Sequence, residues 1–431
     1  VPAAVYDSAM TLALTADETA MAEGRDGPAV ASAMRILAEM GRLLGADRLI
    51  PIASVHVDGC LYHGDSGVHF AERLQQGGGR VRVPTTLNVG ALDLLHPGRV
   101  KATPHRRDMA LRLMQAYEAL GCRPTWTCAP YQAGHRPKAG SDVAWGESNA
   151  VVFCNSVLGA RTNRYGDFLD ICAALTGRAP DYGLHRAENR RARILVDAGG
   201  LSRRLVASDA FYPVLGSWLG AEVGNAVAVI EGLPPGVGED QLKALGAAAA
   251  SSGAVGLFHV AGVTPEAPTA DAALGGQPPE RRIALTPAML RAARDRLSTT
   301  AGDRIDAVAL GSPHFSLEEF GALLALLAGR RSAVPFYVCT GRHVVEALRR
   351  DDRLQQLDAA GITVVADTCV VVTPILPEFG TGQGRVLMTN SGKFAHYTPA
   401  NTGYHALYGS LEDCVASAVA GRVERDEALW Q

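Results

Sequence analysis

The sequence predicts an α/β protein in which parallel strands are covered by helices, and three observations carry that prediction. Apolar residues switch repeatedly between three- to four-residue spacing and short β-branched runs, helix-start signals recur just ahead of the helical stretches, and the C-terminal third reads strand, helix, strand, helix, strand. A chain of 431 residues exceeds what one core normally supports, so two or three packed units are expected. The expected divisions are 1–185, 186–280 and 281–431, with the Ala-, Gly- and Pro-rich stretch 265–279 as a linker and 179–190 as a second candidate.

Taken in order, Thr15-Ala16-Asp17-Glu18 is a capping box, in which hydroxyl and carboxylate satisfy free amides at a helix start. A second helix over 28–44 carries Val30, Met34, Leu37, Met40 and Leu44 on one face, and 47–57 then alternates into a strand. Residues 68–75 read as helix, 80–84 as strand, 106–120 as helix, and a further helix begins near Tyr165. Thr286-Pro287 supplies a cap and a first-turn proline for a helix to about Leu297, and 305–310 follows as a buried strand. Ser316 to Glu319 repeats the capping box; then come a strand at 334–339, a helix at 344–357 and a strand at 362–366. This βαβ order places ligand-binding loops at the strand ends.

Composition excludes several classes. With 47% hydrophobic and 20% charged residues and a net charge of -3, the chain is neither disordered nor basic enough to hold nucleic acid through its phosphates. No apolar run reaches the roughly 18 residues of a membrane span. The opening Val1-Pro2 lacks the pattern of a secretory leader, which predicts a cytoplasmic chain whose eight cysteines stay reduced.

Two thiols stand in polar settings. Thr127-Cys128-Ala129-Pro130-Tyr131 and Asp367-Thr368-Cys369 each set a cysteine beside hydroxyls, a carboxylate or proline-stiffened backbone, the setting of an iron-ligating pocket. Cys122, Cys154, Cys172, Cys339 and Cys414 lie in apolar or helical surroundings and read as core. In Ser54-Val55-His56-Val57-Asp58-Gly59-Cys60 the period of two puts His56, Asp58 and Cys60 on one face, although a buried strand end would also explain them.

The run 149–167 gathers Asn155, Ser156, Arg161, Thr162, Asn163, Arg164, Tyr165 and Asp167 around Gly159 and Gly166, a composition suited to a small carboxylate or to a polar loop. Thr85, Thr86 and Asn88 follow a strand, His314 lies in Gly311-Ser312-Pro313-His314 after another, and Asn390-Ser391-Gly392-Lys393 joins hydroxyl and ammonium. That last segment lacks the glycine spacing of a P-loop, so nucleotide hydrolysis is not supported.

These segments, in this order, resemble the catalytic large subunit of the aconitase X family: Ser54-Val55-His56, Pro84 through Asn88, Thr127 through Tyr131, Asn155 through Asp167, Ser312-Pro313-His314, Asp367-Thr368-Cys369 and Asn390 through Lys393. The resemblance implies an aconitase-like α/β fold and an iron-sulfur hydro-lyase acting on a β-hydroxy carboxylate. Activities of the family are dehydration of cis-3-hydroxy-L-proline, to Δ1-pyrroline-2-carboxylate, and of mevalonate 5-phosphate. Ser312 stands where archaeal-type members resemble Gly-Cys-Pro-His, and Cys60 resembles the bacterial hydroxyproline branch. The implied metal ligands are therefore Cys60, Cys128 and Cys369, around a [2Fe-2S] cluster, with [3Fe-4S] or [4Fe-4S] as alternatives.

The implied catalytic groups are His56, Ser156 and Lys393, and the implied substrate contacts are Thr85, Thr86, Asn155, Ser156, Arg161, Thr162, Asn163, His314, Ser391 and Lys393. The Gly-Pro-Leu-Ser type segment of the family's small swivel domain is not found in the sequence, so a separate small subunit or fused domain is the implied partner. The resemblance also leaves open mevalonate 5-phosphate as substrate and a non-catalytic iron-sulfur subunit as the role.

Overall fold

The computed structural model describes residues 12–377 and 384–431; Val1 and Pro2, on which the expectation about a leader rests, lie outside them. Three α/β units follow one another along the chain. The first holds β1 (Leu49–Pro51), β2 (Val55–Val57), β3 (Thr85–Leu87), β4 (Ala144–Trp145) and β5 (Arg178–Pro180). Its parallel sheet has the order β3-β2-β4, and β1 and β5 form a separate antiparallel pair.

The second unit holds β6 (Ile194–Asp197), β7 (Ala228–Glu231), β8 (Phe258–Val260) and β9 (Arg281–Ala284), all parallel in the order β8-β7-β6-β9. The third holds β10 (Ala307–Leu310), β11 (Phe336–Thr340), β12 (Ile362–Ala366), β13 (Val386–Thr389) and β14 (His405–Tyr408), parallel in the order β12-β11-β10-β13-β14. Continuous burial of Ala307 through Leu310 is what a strand covered on both faces by helices requires.

Strand order reverses between β10 and β13 in the third sheet and at β2 in the first. A crevice opens at such a reversal, outside the carboxyl ends of the strands. The loops at these ends carry Asp58 to Cys60, Glu147, Gly311 to His314 and Asn390 to Lys393. Two glycines allow the close packing there. Gly311 has φ +90°, and a Cβ at that position would collide with the Cys339 carbonyl oxygen. At Gly392 a Cβ would come within 2.9 Å of Ala248 Cβ, so only glycine lets the helix Gly392–Thr402 seat against the second unit.

Several expectations change. Residues 80–84 are irregular and the strand comes next, at Thr85–Leu87, because Pro84 has no amide to give and its carbonyl instead accepts from Val55. The helix expected over 344–357 is two, Arg342–Arg350 and Arg353–Ala359, broken where Asp352 adopts a left-handed φ of 58°. The helix expected near Tyr165 starts at Leu169.

Strand β9 and the helix Pro287–Arg296 belong to the middle unit, since β9 pairs with β6, so the division at 281 moves beyond that helix. The stretch 265–279 is part of the same unit, not a linker, with Ala267 and Ala273 buried and a short helix at Ala270–Ala273. No helix among the described residues is long and apolar enough to cross a membrane.

Candidate active site

Cys128 and Cys369 come together although they lie on different units. Cys128 responds electrostatically to Cys369, and Lys393 acts on both. Burial and the Glu147 carboxylate push the Cys128 thiol up to about 12, against the pull of Lys393 and of the His314 amide, which donates to its sulfur at 3.2 Å. Cys369 ends lower than an ordinary thiol. Burial opposes its ionisation, but the Cys339 thiol, the amides of Val371 and Val372 and the Lys393 ammonium outweigh that cost. Cys339, read from sequence as a core thiol, is thus the immediate neighbour of Cys369.

Cys60 is placed differently. Its buried thiol points at the carbonyl oxygens of Asn88, 3.4 Å away, Val57, 3.6 Å, and Val89, 3.8 Å. Burial, with Asp58 and Asp170 nearby, holds it protonated. One backbone step links it to the other thiols, because the Gly90 amide donates to the Asp367 carbonyl at 2.8 Å. Among the described residues no three His, Cys, Asp or Glu side chains stand together in the arrangement of a metal site. The donor chemistry of an iron-sulfur group is nevertheless present at Cys128 and Cys369, with a cation beside both and thiolate favoured at Cys369; the third thiol is not drawn in.

Lys393 is partly buried and ion-paired with Glu147, whose other oxygen caps the helix Ser148–Ser156 by accepting from Ala150 at 2.6 Å. Burial alone would discharge this lysine, but Glu147 and Cys128 hold it charged. Ser391 caps its own helix through Phe394 and donates to the Ser312 carbonyl.

Across from Glu147, burial and the Glu147 and Asp167 charges raise Asp58 to about 7, with its carboxylate accepting from Asn88. Burial likewise raises Asp170 to about 7, although the amides of Asp58, at 2.6 Å, and Gly59, at 3.2 Å, donate to it. Glu147 and Asp170 were not singled out in the sequence; a carboxylate just after a strand and ahead of a helix was the available signal for the first. The deep position of the second had none.

His56 is fully buried, and burial takes its pKa well below the usual value. Its Nδ1 lies 2.8 Å from Thr86 Oγ1, which lies 2.7 Å from His135 Nδ1, so Thr86 serves two imidazoles. Thr85 donates to the Val83 carbonyl at 2.8 Å. Burial and the Arg123 charge lower His135 to about 4. The unfolded imidazole, near 6.5, takes up a proton that the folded one refuses, so this group costs stability as pH falls from 6.5 towards 4. His135→Asn, which keeps an acceptor towards Thr86, is expected to remove about 1.4 kcal/mol per pH unit of acid sensitivity in that window; urea unfolding of both proteins from pH 4.5 to 6.5 measures the difference in slope.

The polar run 155–163 meets other partners than those expected. Asn155 Nδ2 donates to the carbonyls of Thr162 and Gly256, both at 2.9 Å, and its Oδ1 accepts from Arg190. Ser156 accepts from the Phe258 amide at 3.0 Å. Thr162 bonds the Trp145 amide and the Asn163 carbonyl, Asn163 bonds Tyr182 and Leu184, and Arg161 reaches the His185 carbonyl. The buried Arg190, paired with Glu266, completes this seam between the first and second units. These groups bond buried backbone and one another, and none of the hydrogen bonds named here runs to Lys393 or the thiols.

Comparison with known proteins bears on the same elements. Family models match along the chain: the aconitase X first domain over 11–188, the second over 192–295 and the third over 305–420. The chain is 43% identical to the cis-3-hydroxy-L-proline dehydratase of Pseudomonas aeruginosa over 97% of its own length and 72% of that protein. To the phosphomevalonate dehydratase large subunit of Methanothermobacter thermautotrophicus it is 39% identical, over 91% of this chain and 95% of that one. The crystal structure of Thermococcus kodakaraensis aconitase X in its holo-form superposes with a TM-score of 0.83 at 34% identity, covering 94% of this chain and 100% of the other. With all three units matched in order and the fold shared, the chain belongs to the aconitase X family.

Proposed function

We propose that this hydro-lyase removes water from cis-3-hydroxy-L-proline: the Cα–H and C3–O bonds break, a Cα–C3 double bond forms, and the enamine tautomerises to Δ1-pyrroline-2-carboxylate. The observation that carries the reading is the partly buried Lys393, held between Glu147 and the Cys128–Cys369 pair at the strand-order reversals of two sheets. Cys128 and Cys369, with Cys60 as third thiol, would hold an iron-sulfur cluster, expected as [2Fe-2S]. When bound, a cluster with one open iron site supplies a Lewis acid for the leaving hydroxyl. A metal ion also deprotonates a thiol that burial keeps neutral, which is what Cys60 requires.

Charge supports the amino acid over the phosphate ester. The cations beside the site are each matched by carboxylates: Lys393 by Glu147, Lys243 by Asp240 and Glu319, Arg342 by Asp367. The acidic group of Asp58, Asp167 and Asp170 suits a ring ammonium and repels a phosphate. A carboxyl near 7, as at Asp58, can hold or release a proton at neutral pH. In this substrate the α-proton and the hydroxyl lie on opposite ring faces, so the base that removes the proton stands across from the iron, on a small swivel domain or subunit. The phosphomevalonate dehydratase relatives are named as large subunits, which supports such a partner.

Mevalonate 5-phosphate is the second reading, favoured by those same relatives. We place the protein in the cytoplasm, where its unpaired cysteines remain reduced. The test is an anaerobic dehydratase assay with the small partner added. Turnover of cis-3-hydroxy-L-proline at least 100-fold above that of mevalonate 5-phosphate is expected; the reverse ratio installs the second reading. Absence of turnover of either would make the chain a non-catalytic iron-sulfur subunit.

A further inference from the structure

We propose that His314 is a positioning residue, a single imidazole that staples the Cys128 loop to the Cys369 loop. The inference rests on the reading of those two thiols as the metal site. From sequence His314 is a substrate contact, but its polar atoms are all in use. Nδ1 lies 2.9 Å from Thr127 Oγ1, Nε2 lies 3.2 Å from the Thr368 carbonyl oxygen, and the backbone amide donates to Cys128 Sγ at 3.2 Å. Even its carbonyl is engaged, accepting from Lys243 at 3.4 Å.

The partners fix the tautomer. A carbonyl oxygen can only accept, so Nε2 carries the hydrogen, and the neutral ring then presents a lone pair at Nδ1. Thr127 fits as donor to it, because its oxygen already accepts from the Ala129 amide at 3.1 Å. Each ring nitrogen therefore holds the residue immediately before a thiol: Thr127 before Cys128, Thr368 before Cys369.

The loops hang from different supports. The Cys128 loop is tied to the first sheet through Thr125 and Leu87, whereas the Cys369 loop leaves β12 of the third. The first unit touches the second loop at Asp367, whose carbonyl accepts from the Gly90 amide at 2.8 Å, but that bond does not hold Thr368. A rigid, fully buried ring spanning the gap does, and its own anchor, the tight Gly311 turn after β10, belongs to the third unit. Groups that orient metal ligands from behind typically change metal affinity 10- to 100-fold when removed.

Two variants separate the two bonds. Asparagine places an oxygen where Nδ1 stands and keeps the Thr127 bond; glutamine places an amide nitrogen where Nε2 stands and keeps the Thr368 bond. The experiment uses the full chain, reconstituted anaerobically with ferrous iron and sulfide and then challenged with a chelator, alongside hydrogen-deuterium exchange of the metal-free protein. His314→Ala is expected to release iron at least tenfold faster and to raise exchange in both peptides carrying Cys128 and Cys369. His314→Asn should return protection to the first peptide and His314→Gln to the second, and these two variants decide the matter should the alanine variant not fold. Unchanged exchange in either thiol peptide of the alanine variant, or identical patterns in the other two, overturns the staple. A wild-type chain that takes up no iron while the exchange pattern holds leaves the staple standing and removes the cluster reading alone.

Discussion

Cys369→Ser is expected to lower the iron bound per chain at least tenfold and to abolish visible absorbance, while the metal-free protein melts within about 3 °C of wild type. The thiol is singled out by its surroundings: amides of Val371 and Val372, the Cys339 thiol and the Lys393 ammonium all favour its anion in a site that burial would otherwise keep neutral. A hydroxyl in the same place can still accept those hydrogen bonds, so the fold keeps its partners. It cannot become an anion near neutral pH, and its hard oxygen is a poor ligand for iron-sulfur chemistry. The same change at Cys172, buried in the helix Leu169–Thr176, should leave the iron content unaltered. Cys60→Ser and Cys339→Ser identify the third thiol: loss of iron is expected in the former, and retained iron with a shifted spectrum in the latter. Wild-type absorbance in Cys369→Ser would remove that residue from the ligand set.

Much of the frame was legible because local chemistry and tertiary structure agree. The capping boxes at Thr15–Glu18 and Ser316–Glu319 form as read, and Thr286-Pro287 opens a helix where expected. That Cys128 and Cys369 would differ from the core thiols had a related signal: each follows a threonine, a hydroxyl neighbour for which a core cysteine has no use.

What could not be read was which polar groups would face one another. The run from Asn155 to Asn163 has the composition of a ligand pocket, yet a junction between two units leaves buried carbonyls and amides in need of the same groups. Arg190, which fills that junction, sits in sequence among exposed charges and gave no sign of its burial. Thr86, expected as a substrate contact, is set opposite His56 by the pairing of β2 with β3 and lies 2.8 Å from its Nδ1. Cys339 looked apolar because Phe336 to Val338 precede it; only the register of β11 against β12 turns the strand end towards Cys369.

Lys393→Met should cost about 3–5 kcal/mol of stability and about 10²–10³ in kcat/KM, through two separable causes. The first is burial. Glu147 is buried and the Lys393 side chain keeps only 15% of its exposure, so removing the lysine leaves the carboxylate as an uncompensated charge in the interior. Glu147 also caps the helix Ser148–Ser156, so it cannot turn towards water without freeing the Ala150 amide. Adding Glu147→Gln removes the stranded charge while keeping an oxygen for that cap, and the double variant should regain most of the lost stability.

The second cause is electrostatic and does not recover. With the ammonium gone, Cys128 and Cys369 lose the cation that acts on both, and so does the negative charge that grows on the substrate carboxylate as the α-proton leaves. The double variant should therefore fold nearly as well as wild type, as read from urea unfolding, and remain as slow as Lys393→Met in the dehydratase assay. Recovery of activity along with stability would make the lysine a structural partner of Glu147 and nothing more. Unchanged stability in the single variant would mean that the pair is open to water in solution.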